Sequence, residues 1–213
     1  MIAAHIHDAL AQVRELKMRV LNAQQFTGYS GRVRALGGAI ALLAAFLMSA
    51  NWYPRTTIAH LSGWGLVFLC AVLSNYSALL YWFLFHPESE RDIRRLVPTI
   101  DALPPLAMGG ILTGALILNR QYDMLFGMWM CLYGLANMSC RRTLPKALWP
   151  LGIFYVVCGT VCLCAPGITL TNPWPMGIVL GAGELVGGFI FHRNRISHGT
   201  VTDLPHSQEG SYE

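Results

Sequence analysis

Residues 60–86, HLSGWGLVFLCAVLSNYSALLYWFLFH, contain no Lys, Arg, Asp or Glu. A helix needs roughly 20 apolar residues to cross a ~30 Å hydrocarbon core. An isolated stretch of this kind could be a buried core helix, but it does not stand alone. ALGGAIALLAAFLMSAN, at 35–51, is also free of charge, and only 12% of the 213 residues are charged. Soluble domains carry roughly 25%. The chain therefore reads as all-α, a polytopic transmembrane bundle of six helices, placed near 34–52, 60–85, 102–119, 122–140, 147–165 and 173–191. Residues 1–33 form an N-terminal cytoplasmic amphipathic helix and linker, 34–192 the membrane domain, and 193–213 a flexible cytoplasmic tail.

Charge sets the orientation. Arg14, Lys17, Arg19, Arg32 and Arg34 precede the first span; Arg91, Arg94 and Arg95 follow the second; Arg141, Arg142 and Lys146 follow the fourth; Arg193 and Arg195 follow the sixth. Only Arg55 and Arg120 fall on the opposite side. Short loops rich in Lys and Arg stay in the cytoplasm, so both termini are expected there, in a plasma membrane. The start of the chain lacks the basic, apolar and small-residue order of a signal peptide. The net charge of +4 is then a topology signal. Nothing beside the basic residues reads or stacks on bases, so no nucleic acid is expected as a partner.

Residues 5–26, HIHDALAQVRELKMRVLNAQQF, place Ile6, Leu10, Val13, Leu16, Val20 and Ala23 on one helical stripe. Ile6, Val13 and Val20 are candidate contacts for a second copy of the chain or a cytoplasmic protein partner, with docking on the lipid bilayer surface less favoured because aromatic residues are few. GYSGRVR, at 28–34, is expected to break this helix before the first span.

Between Arg142 and Arg193 the charged residues are Lys146 and Glu184. Glu184 lies ten residues after Trp174, about 15 Å along a helix, and so near mid-depth. Gly177, Gly181 and Gly188 fall on the same stripe and favour close approach of another helix. Glu184 is therefore expected to face a neighbour, as a neutral hydrogen-bonding acid, since its sequence surroundings offer no charged partner. Asn75, Tyr76 and Tyr155 lie at similar depth and are candidate partners; Tyr81 and Asn137 lie nearer the cytoplasmic end. Two roles stay open for the carboxyl: a proton or cation relay, or helix-to-helix glue.

Other polar residues read more simply. Asp101 precedes Pro104 and Pro105 and reads as a helix N-cap. His60 and His86 read as interfacial anchors. The six cysteines match no paired or zinc spacing, so no metal or cofactor is expected, and catalytic motifs are lacking.

HDALAQVRELKMRVLNAQQFTGYSGRVRALGG, YDMLFGMWMCLYGLANMS and NPWPMGIVLGAGELVGG resemble uncharacterised small bacterial integral membrane proteins with about six predicted helices. That resemblance implies a bacterial inner-membrane location and carries over no activity or site. Taken together, the residues favour a non-enzymatic accessory, sensing or regulatory protein acting through its N-terminal helix. A small-solute or proton-coupled transporter using Glu184 is the alternative, and an enzyme is the least supported reading.

Overall fold

The structure is a computed structural model and describes residue 13 and residues 31–85, 97–140, 145 and 147–202. Its elements are helical: α1 Gly31–Ser49, α2 Thr57–Phe85, α3 Val97–Leu118, a 3-10 turn Tyr122–Met124, α4 Leu125–Ser139, α5 Leu148–Cys164 and α6 Trp174–Thr202. By length and composition α1, α2, α3 and α6 can each cross a bilayer, and α5 is apolar but shorter. At 1.5 Å per residue, the 15 residues of α4 and the 17 of α5 span about 22 and 25 Å. The all-helical, membrane-embedded character thus holds, with four helices long and apolar enough to cross a bilayer.

Local chemistry explains several helix ends. The Thr56 hydroxyl accepts the Ala59 N–H at 3.3 Å, the arrangement of an N-cap at the start of α2. Asn172 Oδ1 accepts the Trp174 N–H at 3.3 Å at the start of α6. Ala165 turns extended (φ −81°, ψ 124°) ahead of Pro166 and ends α5, as a following proline disfavours the helical region. The turn from α3 to α4 passes through Arg120 at φ 57°.

Asp101 corrects its expected role. It lies inside α3, which begins at Val97, and so does not cap it. Pro98 occupies the first turn, where a missing N–H costs little. Pro104 and Pro105 fall within the helix and remove the donors that would reach the carbonyls of Ile100 and Asp101. GYSGRVR does not keep Arg34 outside the first span either. The helix starts at Gly31 and takes Arg34 in.

Two antiparallel pairs form the centre. Gly31 lies against Gly188, and Gly177 against Ala45, so α1 runs alongside α6 in the opposite sense. Gly127 meets Gly159, and Gly134 meets Gly152, so α4 and α5 do the same. Backbones approach closely at these points because no Cβ intervenes, the usual mode of helix packing in membranes. The core between the pairs holds Met48, Trp64, Phe126, Met130, Leu170 and Met176. α2 rests on α1, and α3 on α4. Their outward faces present Leu66, Phe68, Leu73, Met108 and Ile111, a surface suited to lipid tails.

One loop is pinned to this core. Leu170, in the connection from α5 to α6, is buried, and its N–H is accepted by Asp123 Oδ1 at 3.1 Å. Asp123→Ala should strand that N–H at a cost of about 1–3 kcal/mol. Limited proteolysis of the 165–173 loop should then be faster than in the unaltered protein, and an unchanged rate would dismiss the pin.

Candidate functional site

Glu184 is not a lone acid. Arg34 Nε lies 2.9 Å from its Oε2, although the Nε–H is not aligned well enough to count as a hydrogen bond. Arg34 Nη2 donates to Glu184 Oε1 at 3.1 Å and to Asn137 Oδ1 at 2.8 Å. Tyr133 and Tyr155 each donate a hydroxyl to the same Oε1 at 2.8 Å. Asn137 in turn donates from Nδ2 to the Tyr133 carbonyl at 2.9 Å. The guanidinium also lies over the Phe191 ring, 5.8 Å from its centroid.

Four helices build this cluster. Arg34 comes from α1, Tyr133 and Asn137 from α4, Tyr155 from α5, and Glu184 from α6. Each sits where the helical repeat delivers it. Arg34 begins the buried α1 stripe continued by Gly38, Ala41, Ala45 and Met48. Tyr133 and Asn137 are one turn apart on α4. Tyr155 is fully buried on α5 and meets Tyr133 edge to face, with ring centroids 5.1 Å apart.

The glycines around Glu184 divide between two duties. Gly177, Gly181 and Gly188 face α1, against Ala45, Leu42 and Gly31, so the stripe expected to pack a helix does meet one. Gly183 and Gly187 face the polar cluster. A Cβ at Gly183 would strike the Tyr155 hydroxyl, and one at Gly187 would come within 2.5 Å of Arg34 Nε. GAGELVGG thus clears space on both sides of its carboxylate.

The same geometry corrects the expectation that Glu184 lacks a charged partner. A buried guanidinium faces both carboxyl oxygens, and two phenol donors share Oε1 with it, so the acid and the guanidinium compensate each other. The side chains are 7% (Arg34) and 13% (Glu184) exposed, so water screens the pair weakly. Along α1 the Glu184 Cβ is level with Gly38, about 10 Å from the first residue of that helix, and its carboxyl group reaches Arg34.

Of the expected partners, Tyr155 joins Glu184, and so does Asn137 through Arg34. Asn75 does not: its Nδ2 donates to Ala71 O within α2 at 3.0 Å. Tyr76 is 45% exposed on α2. Arg34 and Tyr133 were not among the expected members. His60 is also corrected. It is buried at 1% exposure, with Nδ1 3.1 Å from the Thr56 carbonyl, and so is no interfacial anchor. Val13 is helical and exposed; Ile6, Val20 and His86 lie outside the described residues, as do residues 203–213, whereas residues 193–202 of the expected tail continue α6. Among the described residues no group of three or more His, Cys, Asp or Glu is placed to hold a metal ion.

No family model matches the chain, and neither do curated proteins nor solved structures.

Proposed function

We propose that the chain is a non-enzymatic integral membrane protein with a sensing or regulatory role, in which the Arg34–Glu184 pair acts as a latch between the two helix pairs. The observation that carries this reading is the convergence of α1, α4, α5 and α6 on one carboxylate. Within each pair, backbones touch through glycines. Between the pairs, polar side chains from both sides meet at Glu184, and a switch of this kind would work by making and breaking that contact. In this reading the amphipathic N-terminal helix carries the output to a cytoplasmic partner or a second copy.

Bacterial inner-membrane location and a six-span topology with both termini cytoplasmic belong to the proposal. Support comes from the positive-inside distribution of charge and from the start of α1 lying beside Gly188 and Phe191 of α6. Reporter fusions after Glu213 and near Arg120 should report opposite compartments. A C-terminal reporter outside the cytoplasm would sink the topology.

A transport reading has one observation in its favour, an ionisable pair within membrane-spanning helices, which often marks an ion pathway. Liposomes separate the two. The purified protein should show no proton-coupled flux, and Glu184→Gln should alter cross-linking between the helix pairs. Flux that Glu184→Gln abolishes while the fold persists would replace the latch with a carrier.

A further inference from the structure

Two buried polar atoms on the first turns of α2 lack partners. His60 is 1% and Trp64 3% exposed, and neither His60 Nε2 nor Trp64 Nε1 has a hydrogen-bond partner among the described residues. The two residues are one turn apart and share a face. A buried polar atom left unpaired is costly, and in a native protein it marks a water, an ion or a chemical role. The imidazole is also oriented. Its Nδ1 lies 3.1 Å from the Thr56 carbonyl, which can only accept, so the neutral ring carries its proton on Nδ1 and leaves the Nε2 lone pair bare. Metal-ligating histidines are held in this way, with the second nitrogen fixed by a backbone carbonyl. Sulfur lies on the same face. A Cβ at Gly63 would come within 2.7 Å of Met48 Sδ and 2.8 Å of the Tyr53 hydroxyl. Residues three apart on a helix are neighbours, about 5–6 Å between Cβ positions, so the sulfur resting on Gly63 is within reach of His60. Tyr53 covers the imidazole edge to face, with ring centroids 5.2 Å apart, and donates its own hydroxyl proton to the Ala59 carbonyl.

We propose that His60 Nε2 and Met48 Sδ are the ligands of one soft monovalent cation, of the Cu(I) or Ag(I) class, with the Trp64 ring beside it. Thioether sulfur and imidazole nitrogen are ligands that soft ions accept. Both are neutral, and among the described residues no group of three or more His, Cys, Asp or Glu is placed to add anionic ligands. A divalent ion would bring two uncompensated charges into an apolar core, and hard ions take oxygen ligands. A monovalent soft ion brings one charge, and a neighbouring indole favours a cation. A bound water fits less well, because it needs 2–4 polar partners and a thioether accepts only weakly. Metal–ligand bonds of about 2.0–2.3 Å are shorter than van der Waals contacts, so an ion held between two ligand atoms needs no separate cavity. His60 is three residues into α2, about 5 Å from its start, beneath a loop whose Trp52 is 70% exposed; the ion enters from the aqueous side at that end. The site is separate from the latch, since Met48 and Arg34 are fourteen residues apart on α1, about 21 Å.

The test uses full-length protein in detergent, labelled with nitrogen-15 histidine and carbon-13-methyl methionine. Silver nitrate in chloride-free buffer supplies the ion, because Ag(I) is soft, monovalent and does not change oxidation state. The titration runs past six equivalents, since the six cysteines also take up silver, but thiols do not report on an imidazole nitrogen. His60 is identified as a neutral ring protonated on Nδ1 whose signals vanish in His60→Gln. Silver should move its Nε2 resonance upfield and displace the Met48 methyl resonance with it. In Met48→Leu, which conserves volume, the same displacement of Nε2 should need at least ~10-fold more silver. Zinc sulfate should leave both resonances in place. An Nε2 that silver does not move overturns the site and leaves a bound water as the partner of His60. A shift that Met48→Leu does not weaken, or that zinc reproduces, overturns the soft two-ligand site. Should His60→Gln fail to fold, the Met48 methyl, assigned by its loss in Met48→Leu, decides alone: a methyl resonance that silver leaves in place overturns the proposal.

Discussion

Replacing Arg34 with Met should destabilise the protein by about 3–5 kcal/mol, because it leaves the Glu184 carboxylate buried without its counter-charge. Glu184→Gln should cost a similar amount from the other side, since it keeps a hydrogen-bonding shape but strands the guanidinium. Tyr133→Phe and Tyr155→Phe remove only one donor each, and interhelical hydrogen bonds in membranes average about 0.6 kcal/mol. Charge balance therefore outweighs hydrogen bonding at this site. The decisive variant is the double replacement Arg34→Met with Glu184→Met, which removes both charges and leaves apolar side chains of comparable length. It should recover most of the loss, since apolar substitution of a complete buried pair is often neutral or stabilising. Unfolding by denaturing detergent, with the unaltered protein, Arg34→Met, Glu184→Met and the double variant compared, reads the coupling directly. Additive losses in the double variant would mean that the two groups are not a pair.

The contrast between Arg34 and Tyr155 shows what the chain makes legible. Charge-free blocks mark the long helices because a bilayer has no other use for them. The Gly177–Gly181–Gly188 stripe places Glu184 against a helix, and equal depth nominates Tyr155. Arg34 reads with the cytoplasmic basic residues because it follows a glycine-rich break and stands only three residues after Gly31. The signal that includes it is the repeat: Arg34, Gly38, Ala41, Ala45 and Met48 are spaced 4, 3, 4 and 3, so the arginine heads the buried face. Asn75 and Tyr76 show the converse failure. They lie at a suitable depth, but depth is a property of one helix, and which helices adjoin is a property of the fold. α2 rests on α1 and turns Tyr76 outward. Asp101 fails for a third reason: two prolines mimic a helix start that Pro98 supplies earlier.

Gly183→Ala should separate local preference from tertiary constraint by its sign. In an unconstrained helix interior, alanine is better than glycine by about 0.8–1.0 kcal/mol. Here the new methyl would meet the Tyr155 hydroxyl and ring. Tyr155 is buried at 0% exposure, touches Tyr133 and is tied to Glu184, so it cannot rotate away cheaply. Overpacking of a filled core costs about 1–3 kcal/mol, which exceeds the helical gain, and the net effect should be destabilising. Displacing the ring would also lengthen the Tyr155–Glu184 hydrogen bond. Tyr155→Phe removes the atom nearest the clash and gives up only that bond. Combined with Gly183→Ala it should therefore cost less than the sum of the two single changes, a non-additivity expected of residues in contact. Thermal unfolding of the two single variants and the double variant measures it. A Gly183→Ala protein more stable than the parent would show that Tyr155 does not press on this turn of α6, and would remove the steric half of the latch while leaving its charges in place.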